Sequence, residues 1–311
     1  MLKRTVFYGS IFIALAMLVS ACAPAAAPKS AAGPVVVLDG EGKEFRLEKP
    51  AQKIISLAPS NAEILYAVGA GKQLIAREDF TNYPEEVKSL PSVGGSTGNY
   101  SLEEIARLQP DLVLASPLTA PDVIKSIKDI TPNVLVVPNP KDMEGLYTNL
   151  ATVGMLTGHQ AEADKLASDL RARVKTIEDK LARVTDKPKV FYELDATDPA
   201  KPWTAGPGTF IDLLIGMAGG QNVGSSLKGD WAQISQEDLI VQNPDVILLG
   251  DSLYGGIKPE QVAARPGWNG ITAVKNNHVL EFNDDLVSRP GPRMVQGLEE
   301  LAKILHPDLY K

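Results

Sequence analysis

Residues 160–184 read QAEADKLASDLRARVKTIEDKLARV. Leu166, Leu170, Val174, Ile177, Leu181 and Val184 recur every three or four positions, Lys, Arg, Asp and Glu fill the other face, and neither Gly nor Pro interrupts the run. This is the 3.6-residue period of a helix with one apolar stripe. About 25 residues rising 1.5 Å each make a rod about 37 Å long. A rod of that length in the middle of a 311-residue chain points to a strut between two lobes.

Both flanks carry α/β signals. Val35-Val36-Val37-Leu38, the turn residues Asp39–Gly42 and Lys43–Leu47 read as a hairpin. Ile54–Ala58 reads as a buried strand ending at Pro59, after which Ser60 is expected to cap a helix over Asn61–Val68, closed by Gly69. Strands over 74–76, 111–115 and 133–137 alternate with helices over 101–108 and 121–130. Beyond the rod, strands over 189–194, 245–249 and 278–282 alternate with helices over 209–218, 235–242 and 292–305. Alternation of this kind predicts parallel, Rossmann-like sheets covered by helices on both faces.

An internal repeat ties the flanks together. Ser101-Leu102-Glu103-Glu104-Ile105 followed by Gln109-Pro110-Asp111-Leu112-Val113-Leu114 is echoed by Ser235-Gln236-Glu237-Asp238-Leu239 followed by Asn243-Pro244-Asp245-Val246-Ile247-Leu248, at a constant offset. Each copy has a Ser to cap a helix, an acid three residues on, a Pro-Asp turn and an apolar strand. The fold expected is therefore two α/β lobes joined by one long rigid helix.

The first residues read as an address. Lys3 and Arg4 precede an apolar run over 6–19, too short for the ~20 residues of a membrane span, and the run ends in Val19-Ser20-Ala21-Cys22. This looks like a bacterial lipobox, and Cys22 is the only cysteine of the chain. Residues 1–21 are then a lipoprotein signal peptide and Cys22 the lipidated residue. Residues 22–34, rich in Ala and Pro, form a flexible tether. The globule divides into a lobe over 35–158, a linker helix over 159–186 and a lobe over 187–311. It sits lipid-anchored outside the cytoplasmic membrane.

Composition narrows the function. The chain is 44% hydrophobic and 22% charged, with 31 basic and 38 acidic side chains and a net charge of −7. The acidic balance without a basic tract argues against a nucleic-acid partner. One cysteine excludes an intrachain disulfide and a thiolate metal cluster. His159, His278 and His306 are far apart and lack ligand spacing, so no metal site is expected. The Gly-rich loop Thr204–Gly208 lacks the Lys-Ser/Thr ending of a phosphate loop, Gly94–Gly98 is an equally weak signal, and no His-Glu-x-x-His occurs. A secreted hydrolase with scattered catalytic residues is the remote alternative to a binding protein.

The chain resembles the lipid-anchored or periplasmic substrate-binding proteins of ABC importers for cobalamin, ferric siderophores and haem. The resemblance runs from Lys53 to the C-terminus. It rests on Ile54-Ile55-Ser56-Leu57-Ala58-Pro59-Ser60-Asn61-Ala62-Glu63, the Pro-Asp-Leu-Val-Leu string, Trp203-Thr204-Ala205-Gly206-Pro207-Gly208, Gly219-Gly220-Gln221-Asn222-Val223 and Pro290-Gly291-Pro292-Arg293, in this order. It implies two α/β lobes around a single rigid helix and a monomer that is not an enzyme. Such a monomer has no cofactor of its own, carries a metal chelate in the cleft between the lobes, and docks on a permease dimer with its ATPase through one glutamate per lobe. The matching glutamates here are Glu103 and Glu237, with Glu104 and Asp238 left to cap their helices.

The resemblance also places a ligand site. A corrin or porphyrin presents a flat apolar face with polar edges, so aromatic walls with a few polar anchors are expected. Phe80 matches a cleft tyrosine of the cobalamin binders without its hydroxyl, and Tyr83 lies on the same loop. Trp203 and Trp231 match cleft aromatics, and Asp285 and Arg289 match an Asp and an Arg that hold the polar edges of cobalamin. Cobalamin binders also carry a tryptophan just before the first docking helix, where 93–100 has no aromatic but Tyr100. Cobalamin or another corrinoid is the favoured ligand. A ferric siderophore, with Arg77, Arg289 and Arg293 as candidate cations, or haem, with Tyr83, Tyr100 or Tyr254 as axial ligand, is the alternative.

Overall fold

Short apolar runs bounded by Pro, Gly and capping residues set the elements. The computed structural model describes residues 33–96 and 98–311. The signal segment, Cys22 and nearly all of the expected tether lie outside the described residues. A hairpin of β1 (Val35–Leu38) and β2 (Glu44–Leu47) precedes β3 (Ile54–Ser56), α1 (Pro59–Ala67), β4 (Leu74–Arg77), α2 (Leu102–Leu108), β5 (Leu112–Ala115), α3 (Pro121–Lys128), β6 (Val134–Val136) and α4 (Met143–Thr157). The rod follows as α5 (Gln160–Leu181). Then come β7 (Lys189–Glu193), β8 (Trp203–Ala205), α6 (Phe210–Met217), β9 (Gln221–Asn222), β10 (Trp231–Gln233), α7 (Gln236–Gln242), β11 (Val246–Leu249), the short helices α8 (Ser252–Gly255), α9 (Pro259–Ala263) and α10 (Thr272–Lys275), β12 (Val279–Glu281) and α11 (Met294–Leu305).

Two four-stranded parallel sheets result, in the orders β4-β3-β5-β6 and β12-β11-β7-β9. The inner strands are buried on both faces, which is why Leu112–Ala115 and Val246–Leu249 are apolar without alternation. Each sheet starts in the middle and builds outward both ways. The loops leaving neighbouring strands therefore part at its carboxyl edge and open a crevice there.

The sequence repeat has the same structural job in each half. Ser101 Oγ accepts from the Glu104 amide at 3.2 Å and Ser235 Oγ from the Asp238 amide at 3.0 Å, capping α2 and α7. Each helix ends on a left-handed residue, Gln109 or Asn243, both at φ 50°. The Asp that follows clamps the first strand of its sheet: Asp111 accepts from the Gln52 and Lys53 amides (2.8 and 2.9 Å) and Asp245 from the Lys189 amide (2.8 Å).

Helix α5 joins the two halves. Its apolar face (Ala163, Ala167, Leu170, Val174, Ile177) is buried in a core shared with α4 and α11. Gly154 of α4 lies so close that a Cβ there would stand 2.5 Å from that of Ala163. Ion pairs pin the helix to each side, Arg171 to Glu144 of α4 at 2.7 Å and Arg173 to Glu299 of α11 at 2.8 Å.

Three expectations change. The rod has 22 helical residues, about 33 Å, because the chain turns at Ala182 towards β7 instead of continuing to Val184. Helix α1 begins at Pro59, whose fixed φ suits the first helical position, so Ser60 lies inside the first turn and does not cap it. Helix α4 was not expected, because it is apolar on most of its circumference and carries no amphipathic stripe.

Candidate functional site

The loops at the carboxyl edges of both sheets enclose a cavity of about 520 Å³. The first half supplies Ala58, Pro59 and Ser60 from the β3–α1 junction, Phe80 after β4, Ser116 and Leu118 after β5, and Asn139 after β6. The second half supplies Phe210 at the start of α6, Trp231 from β10, Tyr254 from α8, and Asp284, Asp285, Ser288, Arg289 and Pro290 after β12.

The wall is aromatic. Phe80 is 57% exposed, Tyr254 62% and Trp231 40%, which sets them apart from core aromatics such as the fully buried Tyr192 and Trp268. Trp231 is steadied by the edge of Phe210, centroid to centroid 5.7 Å at 65°. The buried Glu78 holds the Phe80 loop, accepting from the Phe80 amide at 2.7 Å and the Thr81 hydroxyl at 2.5 Å. Aromatic faces presented to open space suit a flat apolar ligand.

The floor is a charged network crossing from one half to the other. Arg293 grips Glu63 of α1 with two bonds of 2.6 and 2.8 Å. Arg289 pairs with Asp285 at 2.8 Å, approaches Glu63 at 3.5 Å and donates to Asn82 Oδ1 at 2.7 Å. The Tyr254 hydroxyl donates to Asp285 at 2.9 Å while accepting from Arg289 at 3.1 Å and Asn82 at 3.2 Å. Glu63, Asp285 and Arg289 are buried, so these charges are held by one another and not by water. Asp284 is a second carboxylate in the wall beside Asp285 and has no cation of its own within bonding distance among the described residues; it accepts from the Tyr192 hydroxyl at 2.7 Å. Burial pushes its carboxyl upward, opposed by hydrogen bonds from Ser288 and Tyr192.

Of the residues singled out from the sequence, the fold brings Phe80, Trp231, Asp285 and Arg289 together in the wall. Tyr83 and Trp203 are not part of that wall. The ring of Tyr83 packs under the Arg293 guanidinium at 4.2 Å. Trp203 stands on the same face of the β8–β10 ribbon as Trp231, paired with Gln233 further along it. Glu63, Asn82, Phe210 and Asp284 were missed as site residues, because each enters the site through partners remote in sequence, and Ser60 was missed because it reads as a helix cap. Tyr254 was considered only as a haem ligand.

Glu103 and Glu237 occupy matching exposed positions in the first turns of α2 and α7, outside the cavity, and make no ion pair among the described residues. Glu104, by contrast, is tied to Arg107 at 2.5 Å and Asp238 to the Ser235 hydroxyl at 2.8 Å.

Rival chemistries find little support. Gly94-Gly95-Ser96-Thr97-Gly98 has the spacing of a Gly-x-Ser-x-Gly nucleophile turn, but Ser96 is exposed, its amide donates to Asp79 at 3.0 Å, and no helix starts until Leu102. The Thr204–Gly208 loop is structural. Gly206 abuts the Gly229 carbonyl too closely for any Cβ, and α6 is capped by Thr209, with Asp212 accepting from the Gly208 amide. No group of three or more His, Cys, Asp or Glu able to hold a metal occurs among the described residues, and no helix among them is long and apolar enough to cross a membrane.

Two lobes of this topology around a single helix, with the cavity at facing carboxyl edges, are the architecture of a bilobal binding protein. Residues 54–286 match the periplasmic binding protein family, and the chain belongs to that family. It is 33% identical over 322 residues to YvrC of Bacillus subtilis, an ABC transporter substrate-binding lipoprotein, covering all of both chains. The crystal structure of the vitamin B12-binding protein BtuF of Vibrio cholerae superposes with a TM-score of 0.72 at 25% identity, over 84% of this chain and 99% of that one. The haem-binding protein RhuT of Roseiflexus superposes with a TM-score of 0.75 at 25% identity, over 83% and 99%.

Proposed function

We propose that this chain captures a metal chelate, a corrinoid foremost, outside the cytoplasmic membrane and delivers it to an ABC permease with its ATPase. It acts as a binding protein and not as an enzyme. The observation that carries the corrinoid preference is the state of the arginines. Arg289 and Arg293 are matched by Glu63 and Asp285, Arg77 donates to the carbonyls of Glu78 and Asp79, and Asp284 adds a further acid. A polyanionic ferric siderophore needs free cations, and the wall offers it none among the described residues. A corrinoid asks for something else, namely aromatic contact for its apolar face and mixed donors and acceptors for its amide edge. Phe80, Trp231 and Tyr254 offer the first, and Asn139, Ser288 and the Asp285–Arg289 pair the second. Haem is the second reading, favoured by Tyr254, the one tyrosine in the described wall.

Within this proposal Cys22 carries lipid, residues up to 34 act as tether, 35–158 and 187–311 act as lobes about the 159–186 linker, and the monomer docks through Glu103 and Glu237. The test uses the chain from Ala23 onward, which contains the whole compact unit Gly33–Lys311. It is mixed in turn with cobalamin, haem and ferric hydroxamate and catecholate chelates, then desalted. A corrinoid spectrum retained with the protein at one per chain is expected. Retention of an anionic ferric chelate with no corrinoid refutes the proposal.

A further inference from the structure

Helix α1 (Pro59–Ala67) aims its N-terminus at the cavity, with Ala58, Pro59 and Ser60 in the wall. Ala58 has no side chain able to cap, and no side-chain cap bond forms. Pro59 has no N–H, so the amides of Ser60 and Asn61 are left as first-turn donors without an intrahelical acceptor. The second observation is the Ser60 side chain. The residue is only 7% exposed, yet its hydroxyl makes no hydrogen bond among the described residues and belongs to the cavity wall. Its oxygen opens onto the cavity, where a bound molecule can reach it, and it does not find a partner within the protein among the described residues. The neighbouring buried polar groups do: Ser56 donates to the Ala58 carbonyl at 2.7 Å and Asn61 to the Ala115 carbonyl at 3.0 Å.

We propose that the Ser60 hydroxyl and the first-turn amides of α1 form a subsite for a single oxyanion on the cargo; on the corrinoid reading, on which this rests, it is the phosphodiester of the nucleotide loop. Amides, a hydroxyl and the positive end of a helix suit one negative charge. The acids Asp284 and Asp285 in the same wall, and arginines already paired, make a second negative charge unfavourable. The same chemistry on haem is a propionate carboxylate.

The experiment measures the affinity of the chain from Ala23 onward, wild type and Ser60→Ala, for cobalamin and for cobinamide, which lacks the phosphodiester. Wild type is expected to prefer cobalamin by at least about tenfold, the range of a hydrogen bond to a charged group. Ser60→Ala should weaken cobalamin by about tenfold and leave cobinamide unchanged. The phosphorus resonance of bound cobalamin, shifted in the wild type, should return towards its free position in the variant. Equal affinity for the two corrinoids, or equal weakening of both by Ser60→Ala, overturns the subsite while leaving the corrinoid function standing. If haem binds and corrinoids do not, the same comparison of haem with its dimethyl ester decides in the same way. Binding of none of the four removes the proposed function and the subsite with it.

Discussion

Glu63→Gln keeps the shape of the side chain and removes the charge that two guanidiniums share beneath the cleft. In the native arrangement Glu63 is 3% exposed, takes two bonds from Arg293 at 2.6 and 2.8 Å and stands 3.5 Å from Arg289. Removing one partner of a buried pair costs about 3–5 kcal/mol, because the remaining charge stays out of water without compensation. Asp285 remains 2.8 Å from Arg289 and 3.8 Å from Arg293, so the lower end, about 3 kcal/mol, applies here. A chain of this size unfolds with an entropy of about 0.6 kcal/mol/K, which converts the loss to about 5 °C in Tm. Calorimetry at pH 7 in low and in 0.5 M salt reads it, the Debye length at the higher salt being about 4 Å. The drop should persist in high salt, since burial shields the network from ions. Replacing Glu63 by Leu together with Arg293 by Met should recover part of it, as one stranded cation is gone. A drop under about 2 °C, or one erased by salt, would show that the network behaves as an exposed ion pair and that the floor of the cleft is wetter than argued.

Three further outcomes are expected. Glu103→Ala with Glu237→Ala should abolish uptake in cells and leave affinity in solution intact; a fall in affinity would make these groups part of the ligand site. Fluorescence of a variant retaining only Trp231, with Trp203 and Trp268 replaced by Phe, should be quenched on saturation with the bound chelate, and an unchanged signal removes Trp231 from the wall. Burial and the neighbouring Glu193 charge raise the Asp251 carboxyl to about 7, and its Oδ1 has no hydrogen-bond partner among the described residues. A folded-state value above the unfolded one means stability is complete below about pH 4 and is lost as pH rises through about 7. Asp251→Asn should therefore raise Tm at pH 8 and change it little at pH 4; the reverse order in thermal melts refutes this account.

Much of the architecture was readable from local pattern. Unbroken 3.6-periodicity announced α5, and paired caps and Pro-Asp turns announced matching helix–strand units, since these signals are carried within a few residues of one another. Helix α4 escaped because a helix buried nearly all round leaves no polar face to mark its period. Site residues divide along the same line. Phe80, Trp231, Asp285 and Arg289 were placed by the family resemblance, and they meet in the wall.

What the chain's order of residues determined by itself is therefore the α/β alternation, the rod between two halves and the acidic position repeated in each. Which charges in the cleft remain free was decided only by tertiary structure. Arg289 and Arg293 read as cations awaiting an anion until folding sets them against Glu63, 226 and 230 residues away in the chain, and against Asp285. Likewise Ser60 reads as a helix cap until Pro59 starts the helix two residues earlier and turns the hydroxyl over to the cavity. Caps and periods depend on neighbours in sequence, whereas the pairing of a buried charge depends on whatever the fold places within about 4 Å of it.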